Sequence, residues 1–167
     1  EQVPELQDFI SEVMKAGSCT RLWLDIKNIT SPKTLTDYPI NACKRACEII
    51  TEMKAQNFVE FICTGNQTVM AKSNEYARAA GVEIGWMGNQ PASVYQQKSY
   101  TWANLSTTYM SQGGGERTID EFTKADIAIS VFNADDDATM NYYISKAKQM
   151  KAICTNYPKK LINKMKK

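Results

Sequence analysis

A single α/β domain with a doubly wound, mainly parallel sheet of five strands and helices on both faces follows from three observations. Compact apolar runs of strand length alternate with segments of helical periodicity: RLWLDI (21–26), VEFICT (59–64), VEIGWM (82–87), DIAISVF (126–132) and KAICTN (151–156). These runs are continuously apolar rather than alternating, which marks strands covered on both faces, and strands that alternate with helices pair in parallel. The 167 residues are enough for one full core and few for two. The domain therefore spans 1–167, with an N-terminal helix (1–18) and a basic tail (157–167) as extensions.

The elements follow in order. Residues 4–16 place Leu6, Phe9, Ile10, Val13 and Met14 at helical spacing, and Gly17 stops the helix. After the first strand, KNITSPKTLTDYP (27–39) reads as a proline-marked loop. Ala42, Cys43, Ala46, Ile49, Ile50 and Met53 then line one face of a long helix from Ile40 to Gln56. The second strand turns through Gly65 into a helix over 68–81 that ends on glycine. Beyond the third strand, about thirty polar and aromatic residues (88–117) suggest a short helix between loops, and a brief helix covers 119–124. A helix over 139–150 follows the fourth strand, and the fifth leads into the basic tail.

Composition narrows the chemistry. The chain is 43% hydrophobic and 23% charged with a net charge of +2, the profile of a soluble globular domain without a strong draw to nucleic acid or membrane. No run of about 18 apolar residues is present, and no secretory leader is seen at the start, so the expected compartment is the cytoplasm. The five cysteines (Cys19, Cys43, Cys47, Cys63 and Cys154) are odd in number and irregular in spacing, which argues for reduced thiols over a disulfide framework. There is no histidine, so Ser–His and Cys–His nucleophile schemes are excluded and a zinc site is disfavoured. The reading carries no cofactor, no metal ligand and no catalytic residue.

In doubly wound sheets, ligands bind beyond the carboxyl ends of the strands, where helix N-termini present free N–H groups. That rule selects Asn28, the turn Thr64, Gly65, Asn66, Gln67 and Thr68, and the acidic loop Asn133, Asp135, Asp136, Asp137 and Thr139. The turn lacks both the GxGxxG and the GxxxxGK[ST] spacing, and helix capping explains it equally well. Gly114 and Gly115, in the one glycine cluster, could cradle a phosphate that Arg117 pairs. Three consecutive aspartates do not converge on one cation without an unusual turn; they suit a helix start or the hydroxyls of a sugar. Trp86, Tyr95, Tyr100, Trp102 and Tyr109 could stack a base, or form a core or a subunit interface.

With the elements in this order, the chain resembles the SLOG superfamily, nearest to its small YspA/YpsA-like members. The resemblance runs from about Arg21 to Asn156. It rests on LTDYP (35–39), on ICTGNQTVMAKSNEYARAAGVEI, and on RTIDEFTKADIAISVFNADDDATMNYYISKAKQMKAIC with Arg117, Ala125, Asp126, Thr139, Ile144 and Ala147 at motif positions. The resemblance implies a Rossmann-like fold that senses or sequesters a nucleotide or an NAD- or ADP-ribose-derived small molecule, often as a homo-oligomer. The family's glycine pair is reduced to Gly65, and DDDAT replaces its S-x-GT loop. The position that holds a catalytic glutamate in related glycosidases is filled by Met140, Asn141 and Tyr142. An N-glycosidase or deoxyribosyltransferase that uses Asp135, Asp136, Asp137 or Glu116 is the alternative, and an interaction domain without ligand is the third reading. Nucleic acid and membrane are not expected partners.

Overall fold

The computed structural model describes residues 3–17, 19–27 and 37–166, which fall into two compact units, 1–85 and 86–167. Six strands form among the described residues, in spatial orders β1-β2-β3 and β4-β5-β6 that follow the chain. The α/β class with parallel strands holds; the expected five strands are six. Within each unit the strand order runs with the chain and does not reverse as a doubly wound sheet would.

In the first unit, α1 (Leu6–Ala16) begins where the Glu5 backbone N–H donates to Asp8 Oδ2 at 2.9 Å, and ends at Gly17. β1 (Leu22–Ile26) pairs in parallel with β2 (Val59–Cys63), from Leu22 beside Val59 to Ile26 beside Cys63. α2 (Asp37–Glu52) buries Cys43, Ala46, Cys47, Ile49 and Ile50, the i, i+3, i+4, i+7 stripe of a helix laid on a sheet. Pro39 is tolerated because the first turn needs no N–H there. α3 (Gln67–Ala79) packs on α2 and buries Val69, Met70 and Ala77. β3 (Glu83–Trp86) closes this part of the chain.

The second unit holds α4 (Ala92–Gln97), β4 (Trp102–Ser106), α5 (Thr107–Gln112), α6 (Glu116–Lys124), β5 (Ala128–Phe132), α7 (Asp137–Ser145), β6 (Met150–Ile153) and α8 (Pro158–Met165). β4 pairs in parallel with β5, and β5 with β6. The tail expected to be an extension is in part the helix α8. Buried Trp102, Leu105, Ile119, Phe122, Ile129, Val131 and Met140 make the core. Tyr95 joins it, with ring centroids 4.9 Å from Trp86 and 5.5 Å from Phe122. The crowded aromatics are therefore largely core: Tyr95, Tyr100 and Trp102 are buried.

β4 is the strand that patterning misses. WANLS has two polar residues in five, yet Trp102 to Leu105 are all buried. The reason is a pairing across the sheet: Asn104 stands opposite Ser130 in the β4–β5 register, and the Ser130 hydroxyl donates to Asn104 Oδ1 at 2.6 Å. A buried amide with its hydrogen bond made costs little, whereas an unpaired one would cost roughly 1–3 kcal/mol.

Leu105→Ala removes a fully buried side chain from the centre of this unit and is expected to lower the unfolding free energy by about 2–5 kcal/mol in a urea titration. A loss under about 1 kcal/mol would mean that the unit is not packed as described.

Candidate functional site

The acidic loop resolves into three separate structural roles. Asp135 accepts hydrogen bonds from Thr155 Oγ1 at 3.0 Å, Asn156 N at 2.8 Å and Asn156 Nδ2 at 2.8 Å. These bonds hold its carboxyl below the ordinary carboxylate range. Asp136 caps α7, accepting from Thr139 N at 2.8 Å and Thr139 Oγ1 at 2.6 Å, and its pKa is lowered by the same two bonds. Asp137 pairs with Lys164 at 2.8 Å and Lys160 at 3.2 Å, which lower its pKa as well. Each carboxylate thus serves a different element, and among the described residues no three His, Cys, Asp or Glu side chains gather as a cation site would need.

The glycine cluster is a helix terminus. The N–H groups of Gly113, Gly114 and Gly115 donate to the carbonyls of Tyr109, Ser111 and Met110 at 2.9, 3.2 and 2.8 Å, closing the end of α5. Those N–H groups are committed, so the expected phosphate cradle is not formed. Arg117 Nε donates to the Gly113 carbonyl at 3.1 Å, a bond that uses one of the five guanidinium N–H donors. Thr68 N and Thr139 N, the other expected donors to a phosphate, are engaged by the capping side chains of Asn66 (2.7 Å) and Asp136. Thr64 N continues the sheet to the Ile26 carbonyl at 3.3 Å, and Gly65 takes φ +99° in the turn. The segment 64–68 is a turn and cap in the first unit, and Gln67 is the first residue of its helix. Asn133 is exposed, and Asn28 lies outside the described residues.

The second unit does hold a cleft of about 640 Å³ at the carboxyl ends of β4 and β5. Thr107, Thr108 and Ser111 from α5, Gly114, Gly115 and Glu116 from the following turn, and Ala138, Thr139, Tyr142 and Tyr143 from α7 line it. Of the expected residues, Gly114, Gly115 and Thr139 meet here. Thr107, Thr108, Ser111, Tyr142 and Tyr143 were missed, because STTYMS marks a hydroxyl-rich strand end only once WANLS before it is known to be a strand. Glu116 is ion-paired to Lys146, whose hydrogen bond holds the carboxyl ionised and raises the ammonium pKa in turn. Burial pushes the Tyr143 phenol up to about 12. The rings of Tyr142 and Tyr143 meet edge-on with centroids 5.0 Å apart. The cleft thus offers several hydroxyls, aromatic edges and a neutralised carboxylate, a set suited to hydrogen-bonding an alcohol.

No family model and no curated protein matches the chain. Solved structures do. A glycerophosphodiester phosphodiesterase from Parabacteroides distasonis aligns with a TM-score of 0.77 at 15% identity, covering 99% of this chain and 65% of its own. A protein from Silicibacter pomeroyi assigned as a glycerophosphoryl diester phosphodiesterase gives 0.70 at 10% identity, over 97% of this chain and 57% of its own. A glycerophosphodiester phosphodiesterase from Agrobacterium tumefaciens gives 0.66 at 11% identity, over 92% and 58%. At such identities the likeness establishes the fold alone, and the chain spans less than two thirds of the length of these structures.

The functional expectation is corrected accordingly. The chain was read as a nucleotide-binding, SLOG-type signalling domain, with nucleotide glycosidases as the alternative, and the fold match is to phosphodiesterase structures instead. The physical reason is that alternating strands and helices, a glycine turn and a polar strand end are common to many parallel α/β folds.

Two outcomes are expected from these contacts. Gly115 has φ +49°, and a Cβ there would stand 2.5 Å from Tyr142 Oη. Gly115→Ala should therefore lower stability by about 1–3 kcal/mol, read by thermal melting, with part of the loss recovered when Tyr142→Phe is added. Equal stability of Gly115→Ala and the parent would refute this packing. For Asp135, the folded-state pKa is depressed below the ordinary 3.8. Its stabilisation is complete above that value and is lost as pH falls through the depressed one. Asp135→Ala should melt below the parent at neutral pH, with the gap narrowing in strong acid. A gap that stays constant with pH would show that the carboxylate charge is not what these donors hold.

Proposed function

We propose that the chain is a phosphodiesterase-type α/β domain that takes a small glycerophosphodiester, with the hydroxyl-bearing end of that ligand in the cleft at the ends of β4 and β5. The observation that carries the reading is the fold likeness, which extends over 92–99% of the chain for three structures named for that class of activity. Strand order within each unit follows the chain, as in singly wound βα barrels, where ligands sit at the carboxyl ends of the strands. The cleft lies at that end, and its volume falls in the usual range for small-molecule sites. The cleft wall carries hydroxyls and ring edges, with Glu116 already paired to Lys146, so the alcohol end is the part that suits this wall.

A second reading, binding without rapid hydrolysis, is favoured by the proton chemistry of the cleft. Cleaving a phosphodiester needs a base for the water and an acid for the departing alkoxide. Glu116 is held ionised by Lys146, so it carries no proton to give the alkoxide and is a weaker base for the water than a free carboxylate. The 167 residues offer no histidine to serve as the acid near neutrality.

Incubation with glycerophosphocholine or glycerophosphoethanolamine, followed by an assay for released glycerol 3-phosphate, tests hydrolysis, and calorimetry with the same compounds tests binding. Thr107→Val with Ser111→Ala is expected to weaken binding about tenfold, equivalent to about 1.4 kcal/mol. Binding without product selects the second reading. Neither heat nor product at millimolar ligand would sink both, and undiminished binding by the double variant would move the site away from the cleft.

A further inference from the structure

We propose that α8 lays its outer edge on an anionic lipid surface. The segment YPKKLINKMK (157–166) carries four lysines and no acidic residue. Its orientation is fixed from the inner side. Leu161 is buried, Lys160 and Lys164 are paired with Asp137, and Lys164 also donates to Asn141 Oδ1 at 3.1 Å. Those contacts leave Tyr157, Ile162 and Met165 turned outward, with 56%, 49% and 55% of their surface exposed. Seven large hydrophobic side chains are exposed among the described residues; three of them fall within these ten positions, so the apolar surface is concentrated here.

Helical geometry sorts the edge further. At about 100° per residue, Ile162 and Met165 lie roughly 60° apart, and Lys159 and Lys166 lie roughly 20° apart beside Ile162. Lys159 and Lys166 are both exposed. An apolar pair with cations along its Ile162 side and a tyrosine at the helix start matches an interface that presents acyl chains beneath anionic headgroups. Nucleic acid would engage the lysines but has no use for Ile162 and Met165. A second copy docking edge to edge would bring lysine against lysine with no acid in the segment to answer it. Sequence patterning treats these lysines as a solvated tail; the exposed apolar side chains between them are what α8 adds.

Co-sedimentation of the 167-residue protein with vesicles tests the inference. Phosphatidylcholine vesicles containing about one third phosphatidylserine should retain the protein at low salt and release it as salt is raised, while pure phosphatidylcholine vesicles should not retain it. Ile162→Ser with Met165→Ser, and separately Lys159→Gln with Lys166→Gln, should each lower the partition coefficient at least about fivefold. Lys44→Gln with Lys54→Gln, a charge-matched change in the first unit, should leave it unchanged. Circular dichroism melts confirm that each variant is folded. The inference is overturned if the α8 variants bind as well as the parent, if neutral vesicles bind equally, or if the control pair loses as much. It also falls if light scattering shows a dimer that Ile162→Ser with Met165→Ser dissolves, or if single-stranded RNA shifts in a gel while vesicles do not bind.

Discussion

The carboxylate of Asp135 holds the second unit together at its carboxyl-end loops. By accepting three hydrogen bonds from Thr155 and Asn156, it ties the loop after β5 to the segment after β6. Two parallel strands have no turn of their own to join their ends. Backbone bonds join these two as far as Ala134 N to the Cys154 carbonyl at 2.8 Å, and the Asp135 side chain extends the link to the following loops. Asp136 is thereby placed to cap α7 and Asp137 to reach Lys160 and Lys164 of α8. One short acidic run thus positions two helices. The wall of the cleft formed by Thr139, Tyr142 and Tyr143 is a consequence of where α7 starts.

A run of like charges survives here because every carboxylate has donors or cations of its own. Side-chain and backbone N–H groups and hydroxyls serve the first two, and ammonium groups the third. All three pKa values move in the same direction, which is the sign of carboxylates stabilised in their charged form. A cation site would instead leave its carboxylate oxygens pointed at a common centre.

Two kinds of polar residue therefore shape the candidate site without being ligand groups themselves. The glycines after α5 turn the chain so that Gly115 leaves room beneath Tyr142, and their N–H groups close the helix. Glu116 reaches the cleft rim already paired with Lys146. What remains for a ligand is ring edges and hydroxyls, of which Ser111 and Thr139 can only accept because their protons go to the Thr108 carbonyl and to Asp136.

Sequence alone determined the α/β class and most element positions, because continuous apolar runs and helical stripes are local records of burial. Compact runs such as VEFICT and stripes such as Cys43, Cys47 and Ile50 need no distant partner to be recognised. WANLS was not legible as a strand because its burial depends on Ser130, twenty-six residues away, satisfying Asn104. The roles of Asp135, Gly115 and Arg117 were equally hidden, since a carboxylate, a glycine or a guanidinium offers the same donors and acceptors to a ligand as to a neighbouring loop. Tertiary structure gave Asp135 its partners by bringing Thr155 and Asn156, twenty and twenty-one residues away, within hydrogen-bonding distance.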